Sequence, residues 1–355
     1  MNDNYPNYEL DEMFDDEQMS GEIQGDLYER FSCQVDKGQS PLRIDKYLFN
    51  VMGGTSRTRI QRSAEAGFVL VNGKAVNPNY KVMPLDNIQV MLDHEPHDYS
   101  IEPEDIPLDI VFEDEDILVI NKPAGMVVHP GFGNYSGTML NAVAYHLKHK
   151  AYANMNDANI GLVHRIDKDT SGLLVVAKNP NAKQNLAKQF FEKTTLRSYN
   201  ALVWGTFKED SGTIEGALAR DNRDRLIFRV WDLEENPNAK PAITHYQVIE
   251  RFAYTTLVEC RLETGRTHQI RVHMKHIGHP LFSDEKYGGM EILKGQPTQR
   301  YRQFVNNCFE LCPRQALHAK TLGFKHPRTG EDMFFDSNWP IDFTALIEKW
   351  RRYEN

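Results

Sequence analysis

The residues best suited to chemistry lie in 161–178, GLVHRIDKDTSGLLVVAK. An apolar approach ends in His164, Arg165, Ile166 and Asp167. A polar turn from Lys168 to Gly172 follows, then an apolar run from Leu173 to Ala177. The polar stretch reads as a loop, and the short β-branched run behind it as a buried strand. An arginine and a carboxylate therefore sit on a tight loop at the mouth of a sheet, where rigid scaffolds present reactive groups. Read locally, the same residues also describe a surface ion pair ahead of an ordinary Asp-Thr-Ser-Gly turn. A second cluster lies in ETGRTHQIRVHMKH, 263–276. A helix starting near Thr267 places His268, Arg271 and Lys275 at three- and four-residue spacing on one face. His268, His273 and His276 invite a metal reading, but no carboxylate is placed to complete a site. Cys308 and Cys312 are spaced CxxxC without a second Cys or His pair, so they make a weak zinc signal.

A chain of 355 residues is long enough for two domains and a large core. No apolar stretch is long enough to span a membrane, and the N-terminus shows no basic region followed by an apolar run. The four cysteines are too few and scattered for a disulfide framework and read as reduced thiols of a cytoplasmic protein. The net charge of −9 is concentrated at one end. Residues 1–35 hold ten acidic side chains and one basic one, so the remainder is neutral overall. An acidic balance is thus no argument against a polyanionic partner; what matters is where positive charge clusters.

Residues 1–38 have the composition of a disordered acidic tail. Residues 41–93 form a compact module. Leu42, Ile44, Tyr47, Leu48 and Val51 give one amphipathic helix, and Ser56 caps a second that carries Arg57, Arg59 and Arg62. Asn72-Gly73 between two β-branched runs marks a hairpin. Residues 94–111, broken by Pro96, Pro103 and Pro107, read as an acidic linker at which two modules hinge. The large domain, 112–355, opens with the strand Ile117–Ile120 and a turn from Asn121 to Gly125 between two strands. Helices are expected at 138–149 and 181–193, the latter with Ala182, Leu186 and Phe190 on one side. The strand 197–205 puts Tyr199, Ala201 and Val203 on one face. Polar hairpins with a charged loop (Arg220, Asp221, Arg223, Arg225) fill 206–255, and an amphipathic helix from Phe343 to Arg352 closes the chain.

Several stretches resemble one family in order. HRIDKDTSGLLVVAK, 164–178, is close to the HRLDxxTSGLLL signature of the RluA/RluD-type pseudouridine synthases, which isomerise uridine to pseudouridine in RNA. ILVINKPAGMVVHP, 117–130, resembles the family's first motif, and RSYNALVWG, 197–205, its tyrosine strand. KPAITHY, 240–246, follows its "GKxAxTxY" pattern with Ala239 in place of the usual Gly. TGRTHQIRVH, 264–273, matches "TGRTHQIRxH", and the stretch from Pro280 to Gly289 matches "HPLxGDxxYG" with Ser283 where Gly is common. RQALHAKTLGFKHP, 314–327, matches the C-terminal motif. The pattern LRIDKYL…SRTRIQRSAEAGFVLVNGKAV resembles the S4 RNA-binding domain.

The resemblance implies an α+β fold, with a mixed, largely antiparallel sheet, a central cleft and a small N-terminal S4-type domain. It implies no metal and no cofactor, since the N1–C1′ bond is broken and the base rebonded through C5 without redox change. By resemblance Asp167 is the catalytic carboxylate, attacking the uridine or deprotonating it as the base detaches. Tyr199 stacks on the uracil and moves a proton, and Arg271 is the cation that offsets burial of Asp167. The base must be flipped out of its stem, and Arg165 is placed to fill the gap or hold a phosphate. Arg43, Arg57, Arg59, Arg62, Arg266 and His268 are expected RNA contacts. The expected substrate is 23S (large-subunit) ribosomal RNA, with pre-50S particles as partners, no membrane, a monomeric enzyme and a cytoplasmic location. A transfer RNA target, a non-catalytic ribosome-assembly factor, and a glycosidase pairing Asp167 with Asp169 and releasing uracil are the alternatives.

Overall fold

The structure is a computed structural model that describes residues 28–52, 55, 57–92, 101–131, 133–147, 161–224, 226–296 and 298–353. The acidic stretch 1–27, the Ser56 cap, much of the expected linker and Arg225 lie outside the described residues. The chain divides into two compact units, Met1–Ser100 with Gly131–Gly133, and Ile101–Pro130 with Asn134–Asn355. Among the described residues no helix is long and apolar enough to cross a membrane.

In the first unit, β1 (Tyr28–Gln34), β6 (Asn87–Leu92), β3 (Val69–Val71) and β4 (Lys74–Ala75) form an antiparallel sheet in that order. β2 (Leu42–Arg43) pairs with β5 (Lys81–Val82), and the helices Ile44–Met52 and Arg57–Glu65 complete the unit. Ile44, Leu48, Ile60, Val69, Val82 and Ile88 share its core. Asn72 and Gly73 both take positive φ, 51° and 79°, as the mirror-image turn of a tight hairpin requires. Two expectations need correction. Residues 28–34, assigned to the tail, are a strand because they pair with β6, and Val35 behind them is buried. Val51 is exposed rather than core-facing.

The second unit is built on a ten-stranded sheet. Its strands are β7 (Ile110–Glu113), β8 (Ile117–Lys122), β9 (Ser171–Ala177), β10 (Leu196–Trp204), β11 (Ser211–Arg220), β12 (Phe228–Trp231), β13 (Lys240–Arg251), β14 (Thr255–Leu262), β15 (Leu317–Lys325) and β16 (Asp332–Asp336). The order is β12-β11-β13-β14-β10-β15-β9-β8-β7, with β16 on β15. Every pairing is antiparallel except β9 with β15, so the fold is α+β with a mixed, largely antiparallel sheet. The helix Pro180–Phe191, capped by Asn179, buries Ala182, Leu186 and Phe190 against β8, β9 and β15. The helices Gln299–Leu311 and Ile341–Arg351 enclose Trp204 and Phe282 with Tyr301, Val305 and Trp350. The former reads polar in sequence, yet Tyr301, Val305 and Cys308 fall on one stripe and are buried.

The expected linker is partly docked. Ile101 is buried, the Asn141 side chain donates to the Glu102 carbonyl at 2.8 Å, and residues 110–111 already belong to β7. The turn after Lys122 does not lead into a second strand, because Lys122 gathers it into a knot of carbonyls.

Candidate active site

Asp167 is presented by a loop pinned from behind by buried polar groups. Lys122 is fully buried, and its ammonium donates to the carbonyls of Pro123 (2.8 Å), Met126 (2.8 Å) and Lys168 (2.9 Å). Burial pulls its pKa down to about 7. Arg314 donates to the Asp169 carbonyl (2.9 Å) and the Leu317 carbonyl (3.2 Å), while its other edge grips the Asp342 carboxylate at 2.7 and 3.1 Å. Ser171 Oγ meets His318 Nδ1 at 2.9 Å. His164 belongs to the core: its ring stacks on Phe190, and its Nε2 accepts the Val175 N–H at 3.0 Å. Burial takes its pKa down to about 3, so it stays neutral.

Gly172 lets the loop enter the sheet. Its φ is +118°, and a Cβ there would fall on the Ala319 carbonyl, because β9 and β15 approach as the parallel pair at this point. Register then places Tyr199. It pairs with Ala319 on β15, and Ala319 pairs with Gly172 on β9. Two strand spacings, about 10 Å, separate Tyr199 from the end of the loop. The register shifts by one residue between Ser198 and Tyr199, which leaves Lys320 of β15 as the extra residue of a bulge beside Tyr199. Tyr199 is buried, and burial with the nearby Asp167 charge raises its phenol, which stays protonated at neutral pH.

Arg271, on the helix Gln269–His276, joins two carboxylates. Its Nη1 donates to Asp167 Oδ2 at 3.1 Å, and its Nε and Nη2 donate to Asp284 at 2.7 and 2.8 Å. Side-chain exposure falls from 20% at Asp167 to 5% at Arg271 and 0% at Asp284, so Asp167 is the open end of a sealed ion chain. Burial pushes the Asp167 carboxyl up, but His268, Arg271 and Arg165 outweigh it and hold it below the ordinary carboxylate value. His268 is itself driven to about 4 by burial, so the charge facing Asp167 at neutral pH is that of Arg271. The result is an ionised, partly accessible carboxylate with a fixed cation beside it, fit to act as base or nucleophile. The carboxylate that shares Arg271 with Asp167 is Asp284, not Asp169.

The remaining expected residues distribute differently. His268 is not on the helix face but precedes it in the left-handed region, φ 55°. It comes within 4.0 Å of Asp167 Oδ2. Arg165 is half-buried on the loop, and Arg266 is half-buried ahead of the helix, its backbone N–H on Gln269 Oε1. In the first unit, Arg43 and Arg57 both converge on Asp45, whose side chain is fully buried. Burial pushes Asp45 up, but Arg43, Gln61 and Arg57 bring it to about 2. These two arginines therefore brace the module, because an unpaired buried carboxylate would be costly. Arg62 is exposed and Arg59 half-exposed on the same helix.

Asp114, Asp116 and His326 lie close enough together to suggest a metal. His326 Nδ1 accepts the backbone N–H groups of Arg328 and Thr329, so Nε2 carries the proton that it donates to Asp114 at 2.8 Å. That tautomer leaves no lone pair for a cation, and the cluster is a structural knot. Cys308 and Cys312 are buried free thiols, each raised by burial to about 12. Sequence reasoning alone does not reach Asp284, Tyr287 or Arg314 as site residues. The signal for them is their place in the HPLxGDxxYG and C-terminal motifs, which does not say what they face.

A family model described as RNA pseudouridylate synthase matches residues 116–276, and one described as S4 domain matches 42–88. The chain is 44% identical over 321 residues to an uncharacterized RNA pseudouridine synthase of Chlorobaculum parvum, covering 90% of this chain and 97% of that protein. It is 42% identical over 318 residues to ribosomal large subunit pseudouridine synthase D of Pasteurella multocida, covering 89% and 94% respectively. Among solved structures, human RNA pseudouridylate synthase domain containing 1 aligns with a TM-score of 0.52 at 26% identity, over 72% of this chain and 91% of that one. An ionised aspartate on the HRID loop, its arginine and its strand tyrosine thus sit in a chain that belongs to the RNA pseudouridine synthases, the enzymes that isomerise uridine to pseudouridine.

Proposed function

We propose that this enzyme acts on uridines of large-subunit ribosomal RNA, with Asp167 as the carboxylate that engages the flipped nucleotide. The observation that carries the reading is the Asp167–Arg271 pair at 3.1 Å, backed by buried Asp284. It keeps a carboxylate charged in a site that must exclude water while a glycosidic bond is open. The similarity to a protein named ribosomal large subunit pseudouridine synthase D supports the choice of RNA.

Flipping the target base costs on the order of a few kcal/mol, and Arg165 holds the extruded nucleotide or fills its place. Tyr199 stacks on the uracil and, protonated, is able to return a proton. Residues 41–93 form the RNA-binding module and 112–355 the catalytic domain. The enzyme works as a monomer in the cytoplasm, on free ribosomal RNA or on pre-50S particles.

The test is a pseudouridine map of ribosomal and transfer RNA from cells lacking the gene, rescued with wild type or Asp167→Ala. Loss at defined large-subunit sites, restored by wild type alone, is the expected result. Loss confined to transfer RNA would move the substrate, and rescue by Asp167→Ala would remove Asp167 from the chemistry.

A further inference from the structure

His268 has a geometry that an RNA-phosphate contact does not need. It takes the left-handed backbone conformation, φ 55° and ψ 19°, with no side-chain cap hydrogen bond. For a residue with a Cβ such a conformation is costly and persists where the surroundings impose it, often at functional sites. The ring is held edge-on by Phe228 and Tyr287, with centroids 5.8 and 5.6 Å away. A hydrogen-bond relay reaches its Nδ1. The Phe228 N–H donates to the Tyr287 hydroxyl at 3.1 Å, and that hydroxyl lies 2.7 Å from His268 Nδ1. With the phenol accepting from Phe228 and giving its own proton to Nδ1, the imidazole proton sits on Nε2. Nε2 is the nitrogen that faces Asp167 Oδ2, at 4.0 Å. That is too long for a direct hydrogen bond and leaves the N–H available to a group lying against both residues.

We propose that His268 is a catalytic residue: its Nε2–H donates to O2 of the flipped uracil and stabilises the negative charge that forms as the base detaches. When the C1′–N1 bond breaks, its electron pair stays with the uracil and spreads over N1, O2 and, through the C5–C6 double bond, O4. When C1′ rebonds to C5, the C5 proton is lost and N1 gains one, so the isomerisation balances. The sugar and ring atoms open to attack by Asp167 all lie within two bonds of N1. O2 also lies two bonds from N1, whereas O4 lies four bonds away, so a donor beside Asp167 meets O2. Burial drives the imidazole to about 4, so it meets the substrate as a neutral donor and does not neutralise Asp167. A preorganised donor of this kind contributes on the order of 100-fold to a rate.

The proposal rests on the uridine chemistry assigned to Asp167 above, and the experiment separates the two. Full-length wild type, Asp167→Asn, His268→Asn, His268→Gln and Tyr287→Phe are compared on a large-subunit RNA fragment, with kcat, KM and RNA Kd measured for each. Asn tolerates the left-handed backbone but places no donor at the Nε2 position, whereas the Gln amide reaches it. His268→Asn should lower kcat on the order of 100-fold with KM and Kd unchanged. His268→Gln should recover most of that loss, and Tyr287→Phe should fall between the two. An RNA carrying 2-thiouridine at the target, a poor acceptor, should slow wild type and not slow His268→Asn any further. Full kcat in His268→Asn with a raised Kd would make His268 an RNA contact, and full wild-type speed on the 2-thiouridine RNA would overturn the proposal without any variant. No conversion by wild type, or full activity in Asp167→Asn, would sink the underlying reading instead.

Discussion

Arg271 is committed on both edges, and that decides how Asp167 titrates. Its Nε and Nη2 are held by fully buried Asp284, which leaves Nη1 for Asp167. Because the folded Asp167 value lies below the ordinary one, its charge adds stability above about pH 4, and that contribution is lost only as pH falls through the lowered value. Wild-type kcat should therefore show no acid limb from this group between about pH 5 and 8. In Arg271→Met the burial remains and the cation is gone, so the Asp167 value rises. We expect kcat at neutral pH to fall on the order of 100-fold and an acid limb to enter the profile from the acid side, read from a pH–kcat profile on a uridine-containing RNA fragment. A profile of unchanged shape would mean that another group holds the charge.

At the scale of elements, the loop is defined by what lies beneath it. Gly172 must approach the Ala319 carbonyl where β9 and β15 run parallel, and its φ of +118° is closed to other residues. Gly172→Ala should cost about 3 kcal/mol in denaturant unfolding and abolish turnover, since the loop cannot enter the strand. Lys122→Met should cost about 2 kcal/mol or more, because the fully buried ammonium and its bonds to the carbonyls of Pro123, Met126 and Lys168 are lost. Its kcat should fall while RNA Kd holds, as the Lys168 carbonyl keeps the Gly125 N–H but loses the ammonium that helps to anchor the segment beside Asp167. Stability equal to wild type would show that water or a neighbour takes the place of the ammonium.

At the scale of the whole molecule, arginines of similar sequence context do different work in the first unit. Arg57 spans to buried Asp45 at 2.9 Å, whereas Arg62 is exposed on the same helix. Arg57→Ala in the full chain should destabilise that unit by about 2 kcal/mol, seen as an earlier unfolding transition, because Asp45 stays buried with fewer donors. Arg62→Glu should raise the Kd for RNA and lower the slope of log K against log salt by about one. Equal effects of both changes on Kd alone would place both side chains on phosphates.

The sequence by itself determined the local elements and their chemistry: the HRID loop ahead of an all-apolar strand, the Asn72-Gly73 hairpin, and the tyrosine strand are written in short-range pattern. Asp167, Tyr199 and Arg271 were legible through motif resemblance, because loop and strand chemistry need those residue types at those spacings. Only the tertiary structure decided which charges share a partner. Arg271 meets Asp167 across 104 residues of chain, and Arg314 reaches Asp169 across 145. It paired Arg43 and Arg57, both still partly exposed, with buried Asp45, and it set His268 in a left-handed turn rather than on a helix face. The physical reason is common to all of these. Spacing along the chain fixes direction within one element, while the partner of a buried charge depends on how distant elements pack, and the cost of burying it unpaired makes that packing decisive.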